Sequence, residues 1–270
     1  MDETTIAPDP QAFELSSYRI PGHDACYYLP DFLTGDEEQY LIRKIKEYPQ
    51  QRWKQLANRR LQLWGGELTS KNVLVTQAMP PCVDTYPDII ARLKTIGSFT
   101  ASPHGAPNHI ILNEYLPGQG IMPHEDGPAY FPVVATISLG SHAVFHYYQY
   151  KQDALGATPE SRAEGRSIDS TPVLSILLEP RSVVISERSL YTTHLHAIRA
   201  VEEDSITAGN AENPPMLTDL GVPIANWDKV TGDETIRLMS EGGTLKRSAR
   251  YSLTCRDVEK VAQLKVFMKH

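Results

Sequence analysis

The chain has 270 residues, 41% of them hydrophobic and 22% charged, with a formal net charge of −7. That length suits one large domain or two small ones with a full core, and the acidic balance argues against nonspecific wrapping of nucleic acid while leaving room for a local basic groove. Three widely spaced cysteines, Cys26, Cys82 and Cys255, argue against a disulfide scaffold or a zinc ribbon. With no signal-peptide character at the acidic N-terminus and no apolar run long enough for a bilayer, they lead us to expect an intracellular protein of the reducing cytoplasm and nucleus, away from membranes.

Residues 1–24 read as a flexible, proline-containing leader, and residues 25–107 as a helical N-terminal region. A short strand is expected to end at Pro30. Thr34 with Glu37 three places on has the form of a capping box, and Leu41, Ile45 and Tyr48 then recur at helical spacing. "QRWKQLANRRLQLWGG" (51–66) interleaves Arg and Lys with two tryptophans, and "PPCVDTYPDIIARLKTIGSF" reads as a second, proline-started helix.

From residue 108 the texture changes to short strands with turn punctuation. "NHIILNEYLPGQG" alternates and then turns, "VVATISLGSHAVFHYYQY" is β-rich with a Leu-Gly break, and "PVLSILLEPRSVVISERS" is two strands around a Glu-Pro-Arg turn. Polar stretches at about 151–171 and 202–246 read as loops, "RYSLTCRDV" closes the core as a strand, and 261–270 is a tail. Strands preceded by helices predict an α+β, mainly β fold: a β-sandwich or jelly roll over 108–260 with the N-terminal helices on one face.

"IMPHEDGPAYFP" (121–132) raises the question of a metal site. On an extended segment, positions two apart face the same way, so His124 and Asp126 would converge on one point. Two ligands are too few, whereas two histidines and one carboxylate make the facial triad of non-haem Fe(II) oxygenases. "THLHAI" (193–198) offers His194 and His196, between which geometry does not choose, although the apolar Ala197-Ile198 pair after it favours His196 as the inward one. "RYSLTCR" (250–256) puts Arg250, Ser252, Thr254 and Arg256 on one strand face, with Tyr251, Leu253 and Cys255 on the other. Two arginines buried on one face call for anionic partners; the alternative is a solvated strand edge.

The ordered set "LNEYLPG", "HED", "ISLGS", "LHAI" and "RYSLTCR", five motifs over about 145 residues, resembles the AlkB family of iron(II)/2-oxoglutarate dioxygenases, and looks close to one eukaryotic branch of it. The resemblance covers most of the chain and implies a double-stranded β-helix core. It implies His124, Asp126 and His196 as Fe(II) ligands and catalytic residues, with His194 outside the match. Arg250 matches the arginine that pairs with the far carboxylate of 2-oxoglutarate. Arg256 matches the second arginine of that motif, and Asn113 and Tyr115 match the polar pair that hydrogen-bonds the co-substrate. Ser252 stands where the family usually has Asn, which implies a weaker contact. His196 and Arg250 are also unusually far apart for the family, and the intervening 202–246 segment reads as an insertion.

The implied chemistry consumes O2 and 2-oxoglutarate, yields succinate and carbon dioxide, and hydroxylates a C–H bond, with formaldehyde lost when the carbon sits on nitrogen. Most relatives act on N-alkylated bases, which must be single-stranded or flipped out to be reached. Trp53, Arg59, Arg60 and Trp64 could form a basic, aromatic lid for such a strand, and Tyr130 could help shape the pocket. The alternative for the segment is structural, with core tryptophans and solvated arginines. A monomer is expected. Two competing functions are an oxygenase for a protein or small molecule, which the acidic charge favours, and a non-catalytic binding module, against which the intact ligand set argues.

Overall fold

The computed structural model describes residues 13–23, 25–151 and 167–263. In chain order these form β1 (Cys26–Leu29), α1 (Gly35–Glu47), β2 (Lys54–Leu56), β3 (Arg59–Trp64), β4 (Gly66–Leu68), β5 (Leu74–Thr76), α2 (Pro81–Asp84) and α3 (Ile89–Thr95). The core strands follow: β6 (His109–Tyr115), β7 (Ile121–His124), β8 (Tyr130–Leu139), β9 (Ala143–Tyr148), β10 (Leu174–Leu178) and β11 (Val183–Glu187), then α4 (Arg188–Thr192) and β12 (Leu195–Ile198). The chain ends with β13 (Glu203–Ile206), β14 (Met216–Leu217), β15 (Val222–Pro223), α5 (Asp233–Glu241), β16 (Gly243–Lys246), β17 (Arg250–Val258) and β18 (Val261–Gln263).

Two antiparallel sheets, of seven and four strands, make the expected jelly roll. The larger sheet runs β1-β11-β8-β17-β6-β3-β2, and the smaller runs β10-β9-β12-β7. All their pairings are antiparallel. Strict alternation sorts β17: Tyr251, Leu253 and Cys255 join the core under the helices with Leu41, Ile45, Ile89 and Leu93, while Arg250, Ser252, Thr254 and Arg256 point between the sheets. Helix α1 begins at the predicted capping box, with Glu37 N donating to Thr34 Oγ1 and Thr34 N to Glu37 Oε2.

Four expectations need correction. The second helix is two helices, because Pro87 cannot donate a helical hydrogen bond; Asp88 caps the new start, accepting from Ala91 N at 2.9 Å. The leader is not loose throughout: Ile20 is fully buried and its N–H donates to Cys26 O, although residues 1–12 lie outside those described. Residues 261–263 of the tail form β18, parallel to β5. The 202–246 insertion is no loop but a four-stranded sheet, β15-β14-β13-β16, with α5. Its apolar residues, among them Ile206, Leu217, Leu238 and Leu245, pack with Val144 and Leu177 of the smaller sheet. Short strands in polar text carry too little periodicity for this to be read from sequence. Of the 151–171 loop, 152–166 lie outside the described residues, and its flanks are joined by a Tyr150–Ile168 bridge. Among the described residues no helix is long and apolar enough to cross a membrane.

Candidate active site

Strands β7 and β12 are neighbours, and their register sets His124 directly opposite His196. The two rings lie 4.3 Å apart between centroids. Asp126, two residues past His124, brings its Oδ1 to 3.9 Å from His196 Nε2. Ligand-type atoms of the three residues all lie within 4.8 Å of one another. Among the described residues this is the one such group of His, Cys, Asp or Glu.

Each member is held in the form a metal needs. His124 Nδ1 lies 2.9 Å from Met122 O, and since a carbonyl only accepts, Nδ1 carries the hydrogen and Nε2 keeps its lone pair. Burial disfavours the imidazolium, pushing His196 down to about 4 and lowering His124. Burial alone would raise Asp126. The Arg256 guanidinium, donating to both carboxylate oxygens, outweighs it and holds the carboxyl below its usual range. Two neutral imidazoles and one ionised carboxylate, with one side open to a cavity, fit the Fe(II) facial triad.

The cavity, about 290 Å³, lies between the two sheets. At β17 its wall carries Arg250, 2% exposed, with Nη2 donating to Ser138 Oγ at 2.8 Å and its guanidinium 5.7 Å from the Tyr115 ring centroid. Arg250 Nε and Nη1 are buried without a hydrogen-bond partner, and burial depresses this guanidinium to about 10. A buried cation with two unmatched donors is costly unless an anion meets it. A carboxylate is the fitting partner, as the far carboxylate of the 2-oxoglutarate implied by the family resemblance would be. Register places Tyr115 beside Arg250 and Asn113 beside Ser252, all lining the same cavity.

Of the five expected substrate residues, the structure brings two to the cavity: Arg59 of the expected lid, whose Nε donates to Asn113 Oδ1 at 3.1 Å, and the expected pocket residue Tyr130, whose ring lies 4.9 Å from the Arg256 guanidinium and stacks on His109. The other three lie on the opposite face of β3 and its sheet. Trp64 is a core residue, 4% exposed, against Tyr48. Arg60 pairs with Glu114 through two hydrogen bonds, and its guanidinium covers Trp53, which packs on the helix-side core. None of these three reaches the cavity, and Arg60 is ion-paired rather than solvated. The segment is a hairpin, β2–β3, and because β3 pairs with β6 as a strand of the main sheet, alternation sends even and odd positions to different faces.

His194 does not share a face with His196, because it lies in the turn after α4. Its ring contacts Gln149 Nε2 and Ser189 O. Sequence reading missed Phe145 and Tyr147 of β9, Ser186, and Leu190 and Tyr191 of α4, all of which line the cavity. Phe145 stacks on His196 with centroids 5.3 Å apart, Tyr147 hydrogen-bonds Ser186, and Tyr191 Oη donates to Gly127 O at 3.3 Å. Phe145 and Tyr147 share a strand face, but in "VFHYY" the opposite face carries Val144, His146 and Tyr148, so both faces mix aromatic, apolar and polar groups and neither is marked as the inward one.

Comparison with known proteins agrees with this geometry. A family model of the 2OG-Fe(II) oxygenase superfamily matches residues 25–256. The zebrafish (Danio rerio) protein named Probable RNA/DNA demethylase ALKBH6 is 35% identical over 242 residues, spanning 90% of this chain and 89% of its own. Uncharacterized protein L905 of Acanthamoeba polyphaga mimivirus is 27% identical over 76% of this chain and 87% of its own. Among solved structures, that of OsALKBH1 is 14% identical, with a TM-score of 0.45 over 87% of this chain and 99% of that one.

Proposed function

Because this chain belongs to the AlkB family of 2OG-Fe(II) oxygenases, we propose that it is an oxidative demethylase of N-alkylated nucleic acid, acting on a single-stranded or flipped-out base. The observation that carries the reading is one cavity with a two-histidine, one-carboxylate cluster and, in its wall, a buried arginine lacking partners for two donors. His124, Asp126 and His196 would hold Fe(II). Arg250 would hold the far carboxylate of 2-oxoglutarate, with Asn113, Tyr115 and Ser252 orienting it. Bound there, Fe(II) with 2-oxoglutarate and O2 supplies oxidation of an N-methyl C–H bond, and the hydroxymethyl product breaks down to formaldehyde.

The chain's own residues set the conditions for that chemistry. Arg256 keeps Asp126 ionised and fixed. Phe145 packs against the His196 ring, limiting its rotation. Tyr191, tied to Gly127 beside Asp126, forms part of the cavity wall next to the triad. Support for a nucleic-acid substrate comes from the zebrafish relative's name. The Trp53, Arg60 and Trp64 face no longer adds to it. That loss and the net charge of −7 favour a second reading, a protein or small-molecule substrate for the same chemistry. Three free, buried cysteines are consistent with action in the reducing cytoplasm or nucleus.

The test incubates the protein with Fe(II), 2-oxoglutarate and N-methylated single-stranded oligonucleotides, following oligonucleotide mass and formaldehyde together. Loss of the methyl group with matching formaldehyde supports the reading. Succinate formation with every oligonucleotide unchanged would move the substrate to the second class.

A further inference from the structure

We propose that Arg59 is a positioning residue for the co-substrate, acting through the amide of Asn113, rather than a contact for a nucleic-acid backbone. This rests on the reading of the cavity as a 2-oxoglutarate site. On β3, Leu61 lies directly opposite Asn113 of β6, and Arg59, two residues away, shares its face. The side chains meet diagonally across the strands, Arg59 Nε donating to Asn113 Oδ1 at 3.1 Å. A guanidinium has donors only, so this bond fixes the amide: Oδ1 faces Arg59 and the NH2 group turns away from it. The flipped amide would set donors against donors.

Asn113 is buried, and among the described residues its Nδ2 donates to no protein group. Its neighbour across the ladder toward β17 is Ser252, and the unmatched Arg250 lies two residues further along that strand face. An oriented NH2 in that row is a donor for an anionic or keto oxygen, where a freely rotating amide would present its carbonyl oxygen part of the time. Ser252 offers one hydroxyl where the family pattern has an amide, so Asn113 is the amide donor of this row and its orientation carries more of the contact. Arg59 itself lines the same cavity as Asn113, Ser252 and Arg250.

The experiment titrates 2-oxoglutarate into the full-length, Mn(II)-loaded protein by calorimetry, so that binding is read without turnover. Arg59→Ala is expected to weaken 2-oxoglutarate about tenfold, the worth of one well-aligned hydrogen bond. Asn113→Ala is expected to weaken it at least as much, and the double variant no further than Asn113→Ala alone, because Arg59 has nothing left to orient. Arg59→Lys keeps a donor and recovers most of the loss. In turnover the KM for 2-oxoglutarate rises by the same factor, while the KM for an oligonucleotide holds. Additive losses in the double variant would overturn the proposal. So would unchanged 2-oxoglutarate binding in Arg59→Ala with weakened, salt-sensitive oligonucleotide binding, which would return Arg59 to the phosphate backbone. If the wild type itself takes up no 2-oxoglutarate, the reading of the cavity falls first and the role of Arg59 with it.

Discussion

Replacing Arg250 with methionine separates function from stability in opposite directions. Arg250 is 2% exposed and has one hydrogen bond, to Ser138, while Nε and Nη1 are unmatched. Each unmatched buried donor costs about 1–3 kcal/mol, and the bond to Ser138 returns about 1 kcal/mol. Contact of the guanidinium with the Tyr115 face returns up to about 2 kcal/mol more. Methionine fills similar space without donors, so Arg250→Met is expected to leave the ligand-free protein as stable or about 1–3 kcal/mol more stable. In a domain of this size that is a rise of up to several degrees in Tm. With ligand, two charge-assisted bonds worth about 1.5 kcal/mol each disappear, which weakens 2-oxoglutarate more than about 100-fold. The assay is thermal unfolding with Mn(II), with and without 2-oxoglutarate at a fixed concentration, where the wild type gains stability as RT ln(1 + [L]/Kd). A variant that unfolds earlier without ligand, or still shifts with it, would refute the assignment of Arg250 as a cation waiting for a carboxylate.

Three further outcomes follow from the buried polar groups. His109, His146 and His196 are each pushed by burial to about 4, below the usual histidine range, so the unfolded chain binds more protons between about pH 4 and 6.5. Their contribution is present above about pH 6.5 and lost as pH falls toward 4; urea unfolding across that window should show stability falling by up to about 4 kcal/mol per pH unit at its steepest, and a flat profile would contradict the burial argument. Arg247 makes two hydrogen bonds to Asp204, both side chains about 6% exposed, and Asp204 also meets His142. Arg247→Ala is expected to cost about 3–5 kcal/mol by urea unfolding, because it strands a buried carboxylate; a loss below about 1 kcal/mol would show that His142 alone suffices. Trp64→Ala, a core truncation, should cost about 3–5 kcal/mol in the same measurement, while a selective loss of oligonucleotide binding at unchanged stability would put Trp64 back in a lid.

The site was legible in the sequence where period-two alternation could act on short motifs. His124 with Asp126, Asn113 with Tyr115, and Arg250 with Ser252, Thr254 and Arg256 all reach one cavity as their spacing predicts. The choice of His196 over His194 was not available from spacing, since the turn after α4 breaks the extended segment on which the same-face argument rested. Composition misled for "QRWKQLANRRLQLWGG": aromatic and basic residues look alike in sequence whether they face a groove or a core. Only pairing with β6 shows that Arg59 and Leu61 face inward while Arg60 and Trp64 face the helices. The insertion hid its sheet for a related reason, because strands of two to four residues are too short to display a period. Residues such as Tyr147 and Ser186 became visible only when the two sheets closed on each other.

His124, Asp126 and His196 are assigned as a working iron site served by 2-oxoglutarate, and everything proposed for the cavity depends on that assignment. It is tested most directly by Fe(II)-dependent conversion of 2-oxoglutarate to succinate for the wild type, His196→Ala and His194→Ala, with the N-methylated oligonucleotide present. Turnover is expected in the wild type, is lost in His196→Ala, and is retained in His194→Ala, whose ring is tied to Gln149 and Ser189 instead. Retained turnover in His196→Ala, or loss confined to His194→Ala, would contradict the assignment.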